Sequence, residues 1–220
     1  MKVEEIFLLQ AMDEAELEEI RGLGCMKIRT YQKDQTVFRM GDRVCELGVV
    51  LSGSVTIEAT DLWGSRSIFS RVEKGQAFAE TYALCREPMM VDAVCSEDAE
   101  ILFLHVSGLL REENQPASWY PKLLRNILML CARKNRVLSN RMFCTASKKI
   151  RSRILAFLSL QAVQNGSEEF TIPYNRQELA DYLNLDRSAV SKELCRMRDE
   201  GILAFRKNQF HLFQTAEEEP

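Results

Sequence analysis

From Asn175 to Gly201 the chain reads N-R-Q-E-L-A-D-Y-L-N-L-D-R-S-A-V-S-K-E-L-C-R-M-R-D-E-G. This stretch predicts two helices joined by a tight turn. Asn175 is placed to cap the first, with Glu178 three residues on, where a capping box needs it. Leu179, Ala180 and Leu183 give that helix a short apolar face. Asn184-Leu185 breaks the pattern, and Asp186 is expected to cap a second helix starting at Arg187. On this second helix Ala189, Val190, Leu194 and Met197 should point inward. Arg187, Ser188, Ser191, Lys192 and Arg196 are left on the outer face.

Helix, short turn, helix is the geometry that lays a second helix in the DNA major groove, where each base pair shows a distinguishable pattern of donors and acceptors. An ordinary helical hairpin with a solvated basic face would look similar. The residues beyond Glu200 separate the two. Gly201 ends the helix, Ile202 to Phe205 makes a strand, Arg206-Lys207-Asn208 turns and Gln209 to Phe213 returns. That hairpin is a wing, so the module is a winged helix-turn-helix. Arg176, Arg187, Ser188, Ser191, Lys192, Arg196 and Lys207 are its expected contacts to double-stranded DNA.

The net charge of −3 over 220 residues argues against a nucleic-acid binder until its distribution is followed. Residues 133–213 hold fifteen Lys/Arg and eight Asp/Glu, whereas residues 1–132 hold fourteen and twenty-one. The basic half can supply phosphate contacts, and the acidic half should face away from DNA. No apolar run approaches the roughly 18 residues of a membrane span. Met1 to Glu5 lacks the layout of a signal peptide. A cytoplasmic chain with seven reduced cysteines is expected, with no membrane contact.

Upstream, residues 4–21 suggest one amphipathic helix with Ile6, Leu9, Leu17 and Ile20 on its apolar side. From Cys25 to Val106 the pattern becomes short alternating segments at 27–31, 36–39, 47–51, 55–59, 67–72, 90–95 and 99–105. Turn signals such as Gly41-Asp42, Ser52-Gly53-Ser54, Trp63-Gly64 and Lys74-Gly75 lie between them. Strands of this length and spacing predict a small barrel or jelly roll. Helical periodicity resumes near Trp119 and continues past Met142, with two apolar stripes. Leu124, Leu128, Cys131, Asn135, Leu138 and Met142 are spaced 4-3-4-3-4, the spacing of a coiled-coil seam. Tyr120, Leu123, Ile127, Leu130 and Val137 form the other stripe, expected to pack on the barrel. Two stripes need two partners, which implies a parallel homodimer, with Asn135 fixing register; a long monomeric surface helix is the alternative. After a break at Cys144 to Ser147, a helix over 148–164 and a short strand at Phe170-Thr171-Ile172 lead into the helix-turn-helix.

The expected class is α+β: residues 1–117 an N-terminal helix and jelly-roll barrel, 118–146 a dimerisation helix and hinge, 147–220 the winged helix-turn-helix. This order resembles the bacterial Crp/Fnr family of transcription regulators over nearly the whole chain. The residues that carry the likeness are Arg176 to Leu183, the Arg187-Ser188-x-x-Ser191-Lys192 segment, and Gly48 to Gly53 followed by Val55. The resemblance implies sensing in the barrel, transmission through the dimer helices, and two recognition helices on a palindrome. An activator would add RNA polymerase as a partner.

The sensing cassette departs from the family's cyclic-nucleotide binders. Those carry Phe-Gly-Glu-Leu and, a few residues on, Arg-Ser-Ala, whose Arg neutralises the phosphate. Here Phe78-Ala79-Glu80-Thr81 is followed by Met90-Val91-Asp92, a poor anion site, although Arg86 is near in sequence. Iron–sulfur sensing of the family's N-terminal-cysteine type lacks its cysteines before Cys25, and His105 and His211 are too few for a haem or for the metal site of a jelly-roll enzyme. A non-enzymatic regulator with no metal and no assigned cofactor is expected. Its small effector, by family analogy, would meet Phe78, Glu80, Thr81, Arg133, Lys134 and Asn135. A thiol switch at Cys85, Cys95 or Cys131 and an effector-independent regulator are the alternatives, with an inert thiol the default for each cysteine. At the position of Ser188 relatives often carry a Glu that accepts from cytosine, so an altered half-site is expected.

Overall fold

The computed structural model describes residues 6–60 and 66–213. Near the N-terminus the periodicity correctly picks the buried side chains, since Ile6, Leu9, Leu17 and Ile20 are each at most 1% exposed. It misses a break. Phe7–Leu9 is a 3-10 turn, Ala11 turns at φ 66°, and α1 spans Glu14–Gly22. Asp13 starts α1 afresh with a full capping box: its carboxylate accepts from Glu16 N–H and the Glu16 carboxylate from Asp13 N–H, both at 2.9 Å. A cap of this kind specifies a helix start, so it divides residues 6–21 in two; residues 4 and 5 of the expected helix fall outside the described residues.

The alternating region forms β1 (Met26–Tyr31), β2 (Thr36–Phe38), β3 (Glu46–Ser52), β4 (Val55–Thr60), β5 (Arg66–Val72), β6 (Ala77–Phe78), then α2 (Glu80–Cys85), β7 (Asp92–Cys95) and β8 (Ala99–His105). The strands lie in two antiparallel sheets of order β1-β8-β3-β6 and β2-β7-β4-β5, a jelly roll. The expected Trp63-Gly64 turn falls outside the described residues. β3 is apolar without alternation because both of its faces are covered. Leu47, Val49 and Leu51 face the core shared with α1, while Val50 faces the space between the sheets, with Phe38, Phe78 and Phe103. Gly48 is required there, since a Cβ would stand 2.3 Å from the Phe78 ring. Gly53 turns at φ 75° with the Asp98 carbonyl against it.

After α3 (Val106–Leu109) and a 3-10 turn at Glu112–Asn114 comes α4, Trp119–Thr145. The chain divides into two compact units, Met1–Cys131 and Ala132–Pro220, with the boundary inside α4. In the first unit Trp119, Leu123 and Ile127 join the core that α1 also enters. Two polar contacts fix this packing. Lys122 Nζ donates to both Glu16 carboxylate oxygens, at 2.8 and 2.7 Å, and Asn126 donates to the carbonyls of Leu8 and Gln10. Val137, expected on the same stripe as Leu123, is instead 57% exposed, because the core that the stripe serves ends at Leu130 and Cys131.

The second unit contains α5 (Ile150–Asn165), β9 (Glu169–Thr171), α6 (Arg176–Leu183), α7 (Arg187–Asp199), β10 (Leu203–Arg206) and β11 (Gln209–Leu212). Gly166 ends α5 in the left-handed conformation. The strand before the helix-turn-helix is the third strand of the wing: the sheet order is β10-β11-β9, with Phe170 opposite Phe210. No helix among the described residues is long and apolar enough to cross a membrane.

Candidate nucleic-acid interface

The helix-turn-helix forms as its caps dictate at one end only. Asn175 accepts from the N–H groups of Gln177 and Glu178 at 2.8 and 3.0 Å, and the Glu178 carboxylate accepts from Asn175 N–H at 2.7 Å. Asn184 ends α6 at φ 52°, a left-handed conformation that Asn tolerates. Asp186 takes the extended backbone of a cap, but its side chain accepts no hydrogen bond from α7. Asp186 is thus the N-cap residue by position and backbone, as expected, but without the side-chain bond. The first amides of α7 are left without a side-chain acceptor, which is how a helix start meets a phosphate.

α7 is sided as its sequence predicts. Val190, Leu194 and Met197 are completely buried. Arg187, Ser188, Lys192 and Arg196 are exposed, while Ser191 and Ala189 are half-buried. Cys195 shares the exposed face, four residues from Ser191, a spacing that could have placed it there from the sequence. This face is polar, cationic at Arg187 and Lys192, and presented by a rigid helix.

The basic residues of this unit are not equivalent. Arg151 of α5 is bound bidentately by Glu200, at 2.6 and 2.9 Å, and by Glu193 at 2.6 Å; these carboxylates hold its pKa above the usual arginine value. Arg196 pairs with Glu200 at 3.0 Å and Arg198 with Asp199 at 2.9 Å. Arg141 and Arg153 donate to backbone carbonyls at the end of α6. Arg187, Lys192, Arg206 and Lys207 have no acidic partner among the described residues. Arg176, half-buried, lies over the rings of Phe205 and Phe210, and burial lowers its pKa. Arg176, Arg187 and Lys207, from α6, α7 and the wing turn, line one shallow cleft with Asn175 and Asn208. The cleft also holds the Glu178 carboxylate, which accepts from Asn175 N–H; three cations from three elements outnumber it and suit a phosphate.

In the barrel unit Phe78 is 2% exposed, its ring 5.9 Å from Phe38, which in turn stands edge-on to Phe103 at 5.7 Å. Ala79 holds φ 61°, the left-handed conformation for which relatives use glycine. Glu80 is buried and Thr81 exposed. Asp92 accepts from Met40 N–H at 2.7 Å, and Met90, two residues before it, is 70% exposed. Arg133, Lys134 and Asn135 lie on α4 in the second unit. Along α4 the expected seam residues Leu124, Leu128, Leu138 and Met142 are 48, 67, 66 and 71% exposed, Asn135 is exposed and Cys131 half-buried.

Burial pushes the Cys95 thiol up to about 11 and raises that of Cys144, which makes both poor nucleophiles. Among the described residues no group of three His, Cys, Asp or Glu side chains is placed to hold a metal.

Comparison with known proteins agrees with this geometry. The family model described as a cyclic nucleotide-binding domain matches residues 28–112, and that of a Crp-like helix-turn-helix domain matches residues 152–216. The chain is 26% identical over 204 residues to the "Cyclic AMP receptor protein" of Thermus thermophilus, covering 92% of this chain and 89% of that protein. It is 24% identical over 200 residues to the "Transcriptional activator protein anr" of Pseudomonas aeruginosa, covering 86% and 78%. The solved structure of CprK complexed with OCPA matches at a TM-score of 0.61 and 16% identity, covering 90% of this chain and 92% of that one; this likeness is one of fold. Carrying both domains in this order, the chain belongs to the Crp/Fnr family of transcriptional regulators, with a DNA-binding helix-turn-helix at its C-terminal end.

Proposed function

We propose that this regulator works in the cytoplasm as a homodimer on a two-fold symmetric DNA site, with one α7 in the major groove of each half-site. One observation carries the dimer. α4 leaves Leu128, Leu138 and Met142 about two-thirds exposed along a single stripe, with Asn135 on the same line. Scattered exposed leucines are ordinary, but a continuous stripe at seam spacing calls for a partner. The two recognition helices would then meet half-sites roughly 34–36 Å apart. Arg187 and Lys192 supply the reading cations, Ser188 and Ser191 short polar contacts, and Arg176 and Lys207 phosphate contacts. An activator role adds RNA polymerase as a partner.

The barrel is proposed to bias DNA affinity in response to a small molecule or redox signal, with Phe78, Glu80 and Thr81 as its nearest contacts. Cyclic AMP is disfavoured, because Met90 stands where the family's cyclic-nucleotide binders carry the Arg that neutralises the phosphate, with the Asp92 carboxylate two residues on. A second reading, a regulator without an effector, is favoured by the three phenylalanines that fill the space between the sheets. Native mass spectrometry on protein purified without oxygen tests all of this. A dimer with added mass identifies an effector, a bare dimer favours the second reading, and a bare monomer overturns the symmetric site. Selection of bound sequences from random DNA then gives the half-site.

A further inference from the structure

The last carbonyls of a helix lack intrahelical partners, and at the end of α6 two arginines supply them. Arg141 of α4 donates from Nε to the Tyr182 carbonyl at 3.0 Å, and from Nη2 to the Asp181 carbonyl and Asn184 Oδ1, both at 3.1 Å. Arg153 of α5 donates to the carbonyls of Leu183 and Asn184 at 3.0 and 3.1 Å. Every carbonyl from Asp181 to Asn184 therefore accepts from a guanidinium. These residues end the first helix and open the turn of the helix-turn-helix. A cation at this end also meets the negative pole of the helix dipole.

The two arginines hold the turn from different places. Arg153 belongs to α5, part of the packed core of the helix-turn-helix, and also donates to the Ser147 carbonyl between α4 and α5. Arg141 comes from α4 itself, and the next residue, Met142, lies on the exposed stripe at 71% exposure. Neighbouring residues on a helix point about 100° apart, so this one turn presents Met142 outward and Arg141 to α6. Arg141 also faces the Tyr182 ring at 5.8 Å, and that ring packs on Tyr174 and Phe157, each at 5.3 Å. A fork held by three acceptors and backed by a ring has little rotational freedom.

We propose that Arg141 is a positioning residue: it fixes the direction of the helix-turn-helix against the end of α4 and thereby sets which half-site spacing the dimer accepts. This rests on the homodimer reading. Without Arg141 the turn keeps Arg153, so α6 and α7 stay folded and each recognition helix still reads its own half-site. What is lost is the fixed angle to the helix that joins the two protomers.

The test measures binding of the full chain to palindromes built from its selected half-site, with the central spacer varied by one and two base pairs either way. Wild type is expected to prefer one spacer by about tenfold or more over its neighbours, in line with the geometric demand of two linked half-sites. Arg141→Met should flatten that preference to about threefold or less while a single half-site is bound as before. Arg141→Lys, which can restore one hydrogen bond and the charge, should recover part of it. Unchanged spacer preference in a dimeric Arg141→Met protein overturns the proposal. If Arg141→Met does not fold, Arg141→Gln takes its place under the same criterion. Equal loss on single half-sites and palindromes would show a merely structural residue and also overturn it. A wild-type monomer in light scattering would instead sink the dimer reading, and this proposal with it.

Discussion

The guanidinium of Arg176 lies 4.9 Å above the ring of Phe205, so the first residue of α6 rests on the wing. Phe205 has Arg198 facing it as well, at 5.8 Å. The Arg176 side chain makes no hydrogen bond among the described residues; its guanidinium faces the rings of Phe205 and Phe210, and burial lowers its pKa. An oriented, incompletely solvated guanidinium with all its donors free suits a phosphate oxygen. Arg176→Ala is therefore expected to weaken binding evenly across DNA sequences and to lower the slope of log affinity against log salt by about 0.9 for each protomer. Phe205→Leu should weaken binding by about 0.5–1 kcal/mol through loss of the cation–π contact, with the salt slope kept. A sequence-dependent loss in Arg176→Ala would make it a base reader instead.

Arg187 stands exposed at the start of α7, with no acidic partner among the described residues to hold it back from DNA. As a bidentate reader of guanine, its replacement by Ala should cost about 1–3 kcal/mol at one base pair of each half-site and little elsewhere. Ser188 beside it has neither the reach nor the charge of the Glu that relatives often carry. Ser188→Glu is expected to move the selected half-site toward cytosine at the base that this residue faces. Random-pool selection with the two variants reads both outcomes, and an unchanged half-site in Ser188→Glu would place that residue off the bases.

The parts of the fold that the sequence makes legible are those set by neighbours in the chain. The Asn175–Glu178 box and the wing turn rest on spacings of two to four residues, and both appear as expected. The box at Asp13 and Glu16 obeys the same rule, yet the surrounding apolar periodicity hides it. Asp186 fails differently: the residue type and backbone suit a cap, but the side chain is not turned toward the amides. The division of labour among the arginines is not legible at all. Arg141 and Arg153 meet acceptors 30 to 43 residues away, and Arg151 meets Glu200 at 49. A count of basic residues therefore overstates what is left to face DNA.

The stripe on α4 predicts how the protein associates. Leu128 and Leu138 are 67 and 66% exposed, so a charge at either position disturbs little within one protomer. Leu128→Asp and Leu138→Asp are each expected to give folded monomers by light scattering, since a desolvated carboxylate in a seam is strongly unfavourable. Their affinity for the palindrome should fall toward that for a single half-site. Dimers that persist in both variants would move the interface off this stripe.

Glu16 predicts a pH dependence confined to the acid side. Its carboxylate accepts from Lys122 Nζ, from Ser118 Oγ at 2.6 Å and from the Asp13 amide. Of these, the Lys122 bond does most to pull its pKa from 4.5 down to about 2. A carboxyl whose folded pKa is depressed adds stability above its unfolded pKa and loses it as pH falls through the folded value. Glu16→Gln should therefore lower Tm relative to wild type at pH 7, and the difference should close between pH 4.5 and about 2. Lys122→Met removes the strongest partner and should show the same closure over a narrower range, because Ser118 and the Asp13 amide still hold the carboxylate. A gap between wild type and Glu16→Gln that stays constant from pH 7 to 2 would assign its effect to packing of α1 on α4, with no part for the charge.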